Sequence, residues 1–224
     1  MQATLNSQHN AMTRRSIIAS LALSLMVNFG LAHWAIAQTT IEAPDALIQR
    51  LATDITAAVK ADKTLATGDI SKVNALVDTK IIPFVDFPRM TASAVGSSWR
   101  SATPQQQKRL QEEFKTLLVR TYAGAIKQIK DQVVTVKPLR AAPEDINVIV
   151  RSEVSGSGDP IQLDYRVGKK TDANNVTAWK IYDINVLGVW LVQTYRDQFA
   201  QEINANGIDG LIKSLVAKNQ GGQK

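Results

Sequence analysis

The sequence of 224 residues contains no cysteine and only 2 histidines. Without cysteine the chain cannot form a disulfide framework, a thiolate nucleophile, a zinc knuckle or an iron–sulfur cluster. Glycine, with 12 residues, and proline, with 7, are also scarce, while hydrophobic residues make up 45% of the chain. This composition excludes a collagen-like or disordered chain and predicts an ordinary globular protein.

The N-terminal segment has the layout of a secretory signal peptide. Arg14 and Arg15 precede an apolar run over residues 17–27, and the chain stays mainly apolar up to Ala35-Ile36-Ala37. This pattern predicts secretion, with residues 1–37 removed by cleavage after Ala37. Two alternatives stay open. Residues 16–36 are nearly long enough for an uncleaved membrane anchor, and the paired arginines also fit the twin-arginine export route.

Both histidines, His9 and His33, lie inside this segment. The expected mature chain therefore has neither histidine nor cysteine, which excludes a Ser-His-Asp triad, a histidine general base and a histidine-ligated metal. It also lacks an isolated pair of carboxylates, a phosphate loop and a calcium loop. We therefore expect no enzyme activity, no metal and no cofactor.

The charge of the mature chain is mildly basic. Removal of Arg14 and Arg15 lowers the formal net charge from +6 to +4. The remaining lysines and arginines are spread along the chain, without the runs and interleaved aromatic residues that indicate nucleic-acid binding. We expect no nucleic-acid partner.

The order of the predicted elements is helices, then strands, then helices, which indicates an α+β fold in a single domain over residues 38–219. The longest helix has the clearest start signal, because Thr103-Pro104-Gln105-Gln106 combines a capping hydroxyl, an initial proline and a glutamine able to complete a capping box. Apolar periodicity predicts the earlier helices over 44–61, 69–80 and 88–95. After the strands, a helix is expected from Val189 to a stop at Asn206-Gly207, then a short helix, then a disordered tail over 220–224.

Alternating apolar and polar residues predict an antiparallel meander of about four strands. The strands are expected at 133–139, 146–151, 161–167 and 176–184, with hairpin loops at 155–159 and 172–175. One face of this sheet is apolar, so helices must cover it.

Three segments of the mature chain carry more specific motifs. They are Phe87-Pro88-Arg89-Met90 leading into 95–100, residues 103–107 with Phe114 and Leu117-Leu118, and residues 179–184 leading through Gly188 to 195–199. Each motif alone is moderately specific, but together and in this order they resemble the toluene-tolerance (MlaC) family of periplasmic phospholipid-binding proteins over nearly the whole mature chain.

The resemblance implies that helices cover the sheet and leave a deep apolar cavity for the acyl chains of a phospholipid, as in NTF2-like folds. It implies a periplasmic carrier that maintains outer-membrane lipid asymmetry. Its expected partners are an outer-membrane lipoprotein–porin complex and an inner-membrane ABC transporter with a lipid-binding ring subunit. Docking to them is expected to be transient, and the carrier is expected to be a monomer. The alternatives are a module of similar fold for another apolar ligand, such as a quinone, and an adaptor with a filled interior.

The candidates for the cavity wall are apolar side chains where a helix face meets the apolar face of the sheet. They are Phe84, Phe87, Met90, Val95, Phe114, Leu118, Tyr122, Val148, Val150, Leu163, Tyr165, Trp179, Val186, Val189 and Trp190. For each of them the alternative is ordinary core packing. Trp190 departs from the family pattern, which has a small residue there, often serine, and its indole is expected to narrow the cavity or alter its mouth.

Three arginines are candidates for contacts at the cavity mouth or with partners: Arg89, Arg100 and Arg196. The alternative for each is a structural role, because arginine beside tryptophan or aspartate commonly forms a stack or an ion pair.

Overall fold

The computed structural model describes residues 41–67, 69–126, 129, 131–156 and 158–221. The expected signal segment with its two histidines lies outside the described residues. The chain from Ile41 onward forms one compact unit. Within the described ranges, no helix is long and apolar enough to cross a membrane.

The first part of this unit is helical. Helix α1, Pro44–Ala61, has the predicted bounds and starts with proline in its first turn. It is followed by the short α2, Lys63–Ala66, and by α3, Ile70–Leu76, whose first amides donate to the Asp69 side chain. The helix predicted to reach residue 80 instead changes pitch and continues as a π turn, Val77–Ile81, and a 3₁₀ turn, Ile82–Phe84.

A helix and a 3₁₀ turn precede the longest helix. Helix α4, Phe87–Val95, ends at Gly96 and is followed by a 3₁₀ turn, Gly96–Ser101. Helix α5, Pro104–Ile126, starts with the predicted capping box. The Gln106 amide donates to Thr103 Oγ1 at 3.2 Å, and the Thr103 amide donates to Gln106 Oε1 at 2.9 Å.

The sheet has five antiparallel strands in the order of the chain. They are β1 Val133–Val136, β2 Asn147–Ser155, β3 Ile161–Thr171, β4 Thr177–Val186 and β5 Val189–Trp190. The α+β fold with an antiparallel sheet and covering helices is confirmed, with one strand more than expected. Strand β5 was predicted as the start of the last helix, but Leu187 and Gly188 have positive φ angles of 53° and 89° and turn the chain back onto β4.

Strand β4 contains a bulge that changes which residues face the helices. Arg166 pairs with Asp183 and Val167 pairs with Ile181, so Tyr182 has no partner residue on β3. The extra residue places Ile181 on the same face as Ile184, although the two are three positions apart.

Helix α6, Leu191–Gly221, completes the unit. Its helical geometry is interrupted at Gly207, with φ 71° and ψ −175°, so the predicted stop is present as a kink after which the helix resumes. The helix includes Gln220 and Gly221, which were expected in the tail; the last three residues lie outside the described residues.

Three apolar clusters hold the elements together. The helical core joins α4, α5 and α6 around Phe114. The sheet core joins the N-terminal half of α1 to the inner face of the sheet around Val150 and Val167. A third cluster, around Val73 and Val119, joins α1, α2 and α3 to α5.

Candidate functional site

An apolar cavity of about 340 Å³ is lined by α1, the C-terminal end of α5 and the inner face of the sheet. Its wall consists of Ala52, Ile55, Thr56, Tyr122, Ala125, Ile129, Gln132, Val134, Val154, Ile161, Leu163, Tyr165 and Val186. No charged side chain belongs to this described wall, so the cavity suits an uncharged, apolar group.

Strand register explains the sheet side of the wall. Val134 pairs with Val154, Val154 with Ile161, and Leu163 with Val186. Residues that are directly opposite on neighbouring strands share a face of the sheet. The alternation of apolar residues therefore places all of these side chains on the inner face.

The helix side of the wall explains why the space is open. The N-terminal half of α1 packs on the sheet through Leu47, Ile48 and Leu51. One turn further along, the residues that face the cavity include the smaller Ala52 and Thr56. Short side chains leave space between two elements that larger side chains would fill.

A surface groove adjoins the cavity. It also has a volume of about 340 Å³ and lies along α1 and β1. Ala52, Thr56, Gln132 and Val134 line both the groove and the cavity, so the two spaces share one boundary.

The phenols of the wall are uncharged at neutral pH. Burial raises the pKa of Tyr165, while a hydrogen bond with Ser152 acts in the opposite direction and is the smaller effect. Burial also raises the pKa of Tyr122, and the nearby phenol of Tyr195 adds to this shift. Both tyrosines therefore offer polar hydroxyls without charge.

The structure brings four of the fifteen candidate wall residues together around the cavity: Tyr122, Leu163, Tyr165 and Val186. Nine others belong to the solid clusters or pack against them. Phe87, Met90, Val95, Phe114 and Leu118 lie in or against the helical core, and Phe84, Val148, Val150 and Trp179 in or against the sheet core. The sequence pattern indicates which side chains face inward, but not whether other side chains fill the space beside them. The candidate wall therefore includes residues that are packed in the cores.

The last two candidates, Val189 and Trp190, lie on β5. Val189 is 54% exposed. Trp190 pairs with Asn185 and stacks under Arg166, whose guanidinium carbon lies 3.9 Å from the ring centre. This position is on the outer face of the sheet, outside the described cavity wall, and the effect of the indole on the cavity or its mouth stays a prediction.

Arg166 also joins Trp190 to a buried carboxylate. Arg166 Nη1 lies 2.9 Å from Asp183 Oδ2, and Asp183 is 1% exposed. Asp183 Oδ1 accepts hydrogen bonds from the Ile184 amide and from the Val192 amide in the first turn of α6. Burial raises the pKa of Asp183, and these hydrogen bonds and Arg166 oppose the shift. The cluster attaches α6 to the sheet.

The three candidate arginines lie away from the described cavity wall. The guanidinium of Arg89 stacks 3.5 Å from the centre of the Tyr182 ring and donates to Asn147 Oδ1 at 3.0 Å. A Cβ atom at position 168 would lie 2.5 Å from Arg89 Nη1, so Gly168 makes room for this stack. Arg100 and Arg196 are exposed, and their contacts with partners stay a prediction.

Sequence reasoning missed nine wall residues: Ala52, Ile55, Thr56, Ala125, Ile129, Gln132, Val134, Val154 and Ile161. A usable signal was present in α1, where Ala52 and Thr56 follow larger leucine and isoleucine residues along an amphipathic helix. The described residues contain no group of three or more histidine, cysteine, aspartate or glutamate side chains able to hold a metal ion.

Comparisons with known proteins agree with this architecture. The family model described as MlaC protein matches residues 49–217. The toluene tolerance protein ttg2D of Pseudomonas putida is 27% identical over 180 residues, which cover 80% of this chain and 81% of that protein. The intermembrane phospholipid transport system binding protein MlaC of Haemophilus influenzae is 23% identical over 193 residues, 85% of this chain and 87% of that protein.

A solved structure is also similar. It is the phospholipid-binding protein from Ralstonia solanacearum in complex with a phospholipid, which is 44% identical to this chain. The match has a TM-score of 0.75 and covers 80% of this chain and 98% of that one.

Proposed function

The chain belongs to the MlaC family, and from this premise we propose that it binds a phospholipid and carries it through the periplasm. The observation that carries the proposal is the apolar cavity between α1, α5 and the sheet. The Ralstonia solanacearum protein, similar over 98% of its length, contains a phospholipid, which supports the same class of ligand here.

The energetics of lipid transfer explain why such a cavity is needed. Exposure of hydrocarbon to water costs about 0.8 kcal/mol per CH₂, so a sixteen-carbon acyl chain costs on the order of 12 kcal/mol. A lipid therefore crosses an aqueous compartment at a useful rate only when a protein covers its tails. The uncharged wall, with Leu163 and Val186 on one side and Ile55 on the other, provides this cover.

The finer part of the proposal concerns the route. We propose that the chain exchanges lipid with an outer-membrane lipoprotein–porin complex and with an inner-membrane ABC transporter that has a lipid-binding ring subunit. The name of the Haemophilus influenzae relative, a binding protein of an intermembrane phospholipid transport system, supports this route. Since a carrier needs a cavity and docking surfaces but no reacting groups, the chain is proposed to act without catalysis.

Native mass spectrometry of the protein purified from the periplasm tests the ligand. We expect a bound mass equal to that of a phospholipid. A different small molecule would instead identify a module for another apolar ligand, and a chain without any bound molecule would identify an adaptor. Either result would overturn the proposal.

A matched pair of tryptophan substitutions on α1 links the lipid to the cavity. Ala52 lines the cavity, whereas Ala46 is exposed on the same helix and is not part of its wall. We expect Ala52→Trp to reduce the bound phospholipid at least tenfold, because the indole occupies the space of the tails, and Ala46→Trp to retain the wild-type amount. Equal lipid content in both variants would place the lipid elsewhere.

A further inference from the structure

The inner limit of the cavity along β3 coincides with one side chain. Along the inner face of β3 the residues are Ile161, Leu163, Tyr165 and Val167. Ile161 is 37% exposed, while Val167 is 0% exposed and belongs to the sheet core. The first three line the cavity and the fourth does not.

The neighbours of Tyr165 across the sheet show that it stands at a boundary. Its partner on β2 is Val150 and its partner on β4 is Ile184. Val150 is a member of the sheet core and Ile184 packs against it, whereas Tyr165 both packs against that core and lines the cavity. Among the described wall residues, Tyr165 alone has this double position.

Packing against the sheet core fixes the Tyr165 ring. It lies in the register between Val150 and Ile184 and packs against that core, and on the same face Ser152, which is 0% exposed, donates through Oγ to the Leu163 carbonyl at 3.2 Å. Rotation of the ring away from the boundary would leave a void beside the core.

The side of the cavity nearest the groove differs from this inner limit. Ala52, Thr56, Gln132 and Val134 line both the cavity and the adjoining surface groove. An acyl chain that enters from this side therefore meets these uncharged side chains before it reaches the Tyr165 ring, which does not line the groove.

We infer that Tyr165, packed against the sheet core, is the floor of the cavity and sets the longest acyl chain that the protein accepts. This inference rests on the proposed function, since it names a specificity-determining residue of the same site. Chains that reach the ring fit completely, and longer chains leave part of their hydrocarbon in water.

The size of the expected effect follows from strand geometry. Removal of the ring opens the cavity by up to one pair of residues along β3, roughly 6–7 Å. An extended chain advances roughly 1.2 Å per bond, as the extended backbone does. Leucine fills part of the freed space, so Tyr165→Leu is expected to lengthen the preferred acyl chain by about two to four carbons.

The experiment uses the full-length mature protein incubated with vesicles that contain equal amounts of dilauroyl, dimyristoyl, dipalmitoyl and distearoyl phosphatidylethanolamine. Native mass spectrometry then measures which lipids are bound. Relative to wild type, Tyr165→Leu should move the distribution toward longer chains and Tyr165→Trp toward shorter chains. Tyr165→Phe, which keeps the ring, should retain the wild-type preference.

Tyr182→Leu is the matched control, because Tyr182 has the same ring on the neighbouring strand β4 but stacks against Arg89 outside the described cavity wall. It should leave the preferred chain length unchanged. If Tyr165→Leu and Tyr165→Trp both bind phospholipid with the wild-type distribution, the inference is overturned while the proposed function stands. If wild type itself takes up no phospholipid, both are overturned.

Discussion

The two ends of helix α5 lie in opposite surroundings. In its N-terminal half, Phe114 is 1% exposed and contacts three other rings, with centre distances of 4.9 Å to Tyr195, 5.2 Å to Phe199 and 5.8 Å to Phe87. Near its end, Tyr122 and Ala125 face the open cavity. The same amphipathic helix thus packs in a filled core at one end and lines a cavity at the other.

The difference shows what makes a cavity. At the filled end, aromatic residues from α4 and α6 meet Phe114 in edge-to-face and tilted arrangements that exclude voids. At the open end, the facing positions on α1 are Ala52, Ile55 and Thr56, two of which have short side chains. The apolar pattern is similar at both ends, and the size of the side chains supplied by other elements decides between core and cavity.

The largest expected effect compares truncation in these two regions. Phe114→Ala should lower the free energy of unfolding by about 3–5 kcal/mol, because it creates a new void in a filled core. Leu163→Ala in the cavity wall should cost roughly 1 kcal/mol, because one side of Leu163 already faces open space. Urea unfolding of the delipidated proteins measures both values. Equal losses would mean that the wall is as tightly packed as the core.

A smaller effect tests whether the two ends of α5 are independent. Thr103→Ala removes the capping box at the filled end and should cost about 1 kcal/mol of stability. The control is Thr121→Ala near the open end, where the hydroxyl only bonds to the Leu117 carbonyl within the helix and alanine is the better helix former. Thermal unfolding should show a lower midpoint for the first variant alone, with lipid content unchanged in both. A loss of bound lipid in Thr103→Ala would show that the two ends of α5 are not independent.

The smallest expected effect is a pH dependence from Asp183, which attaches α6, and with it Tyr195 and Phe199, to the sheet. Burial raises the pKa of Asp183 above its ordinary value of 3.8, so the folded state binds a proton more tightly than the unfolded state. The contribution of this carboxyl to stability is therefore full below pH 3.8 and falls as the pH rises through the higher folded-state pKa.

Asp183→Asn removes this titration while keeping an oxygen for the Val192 amide. Urea titration at a series of pH values measures the free energy of unfolding of wild type and of Asp183→Asn. As the pH rises above 3.8, the free energy of unfolding of wild type should fall relative to that of the variant. A difference that stays constant across that range would contradict the assignment.

Local patterns in the sequence predicted much of the fold. The capping box at Thr103 and the bounds of α1 depend on residues close together in the chain, and both are present, while the stop predicted at Asn206-Gly207 is present as a kink. The bulge at Tyr182 and the strand β5 were missed. The bulge depends on register with β3, and the turn before β5 places Leu187 at a positive φ angle, which leucine rarely adopts.

The candidate site was predicted less completely, for a related reason. Strand alternation predicted that Leu163 and Tyr165 lie on the inner face, and both line the cavity. Phe114 and Val150 have equally apolar surroundings in sequence, but partners from distant segments cover them. Local periodicity does not indicate which distant segments come into contact.

The sequence by itself determined the chemistry that this protein lacks and the faces that it must bury. The absence of cysteine excludes thiolate and disulfide chemistry, and the apolar periodicities require an antiparallel sheet covered by helices. Only the tertiary structure decided where those faces touch and where they leave a space. The width of the gap depends on the combined side-chain sizes of α1, α5 and the sheet, elements that are brought together only when the chain folds.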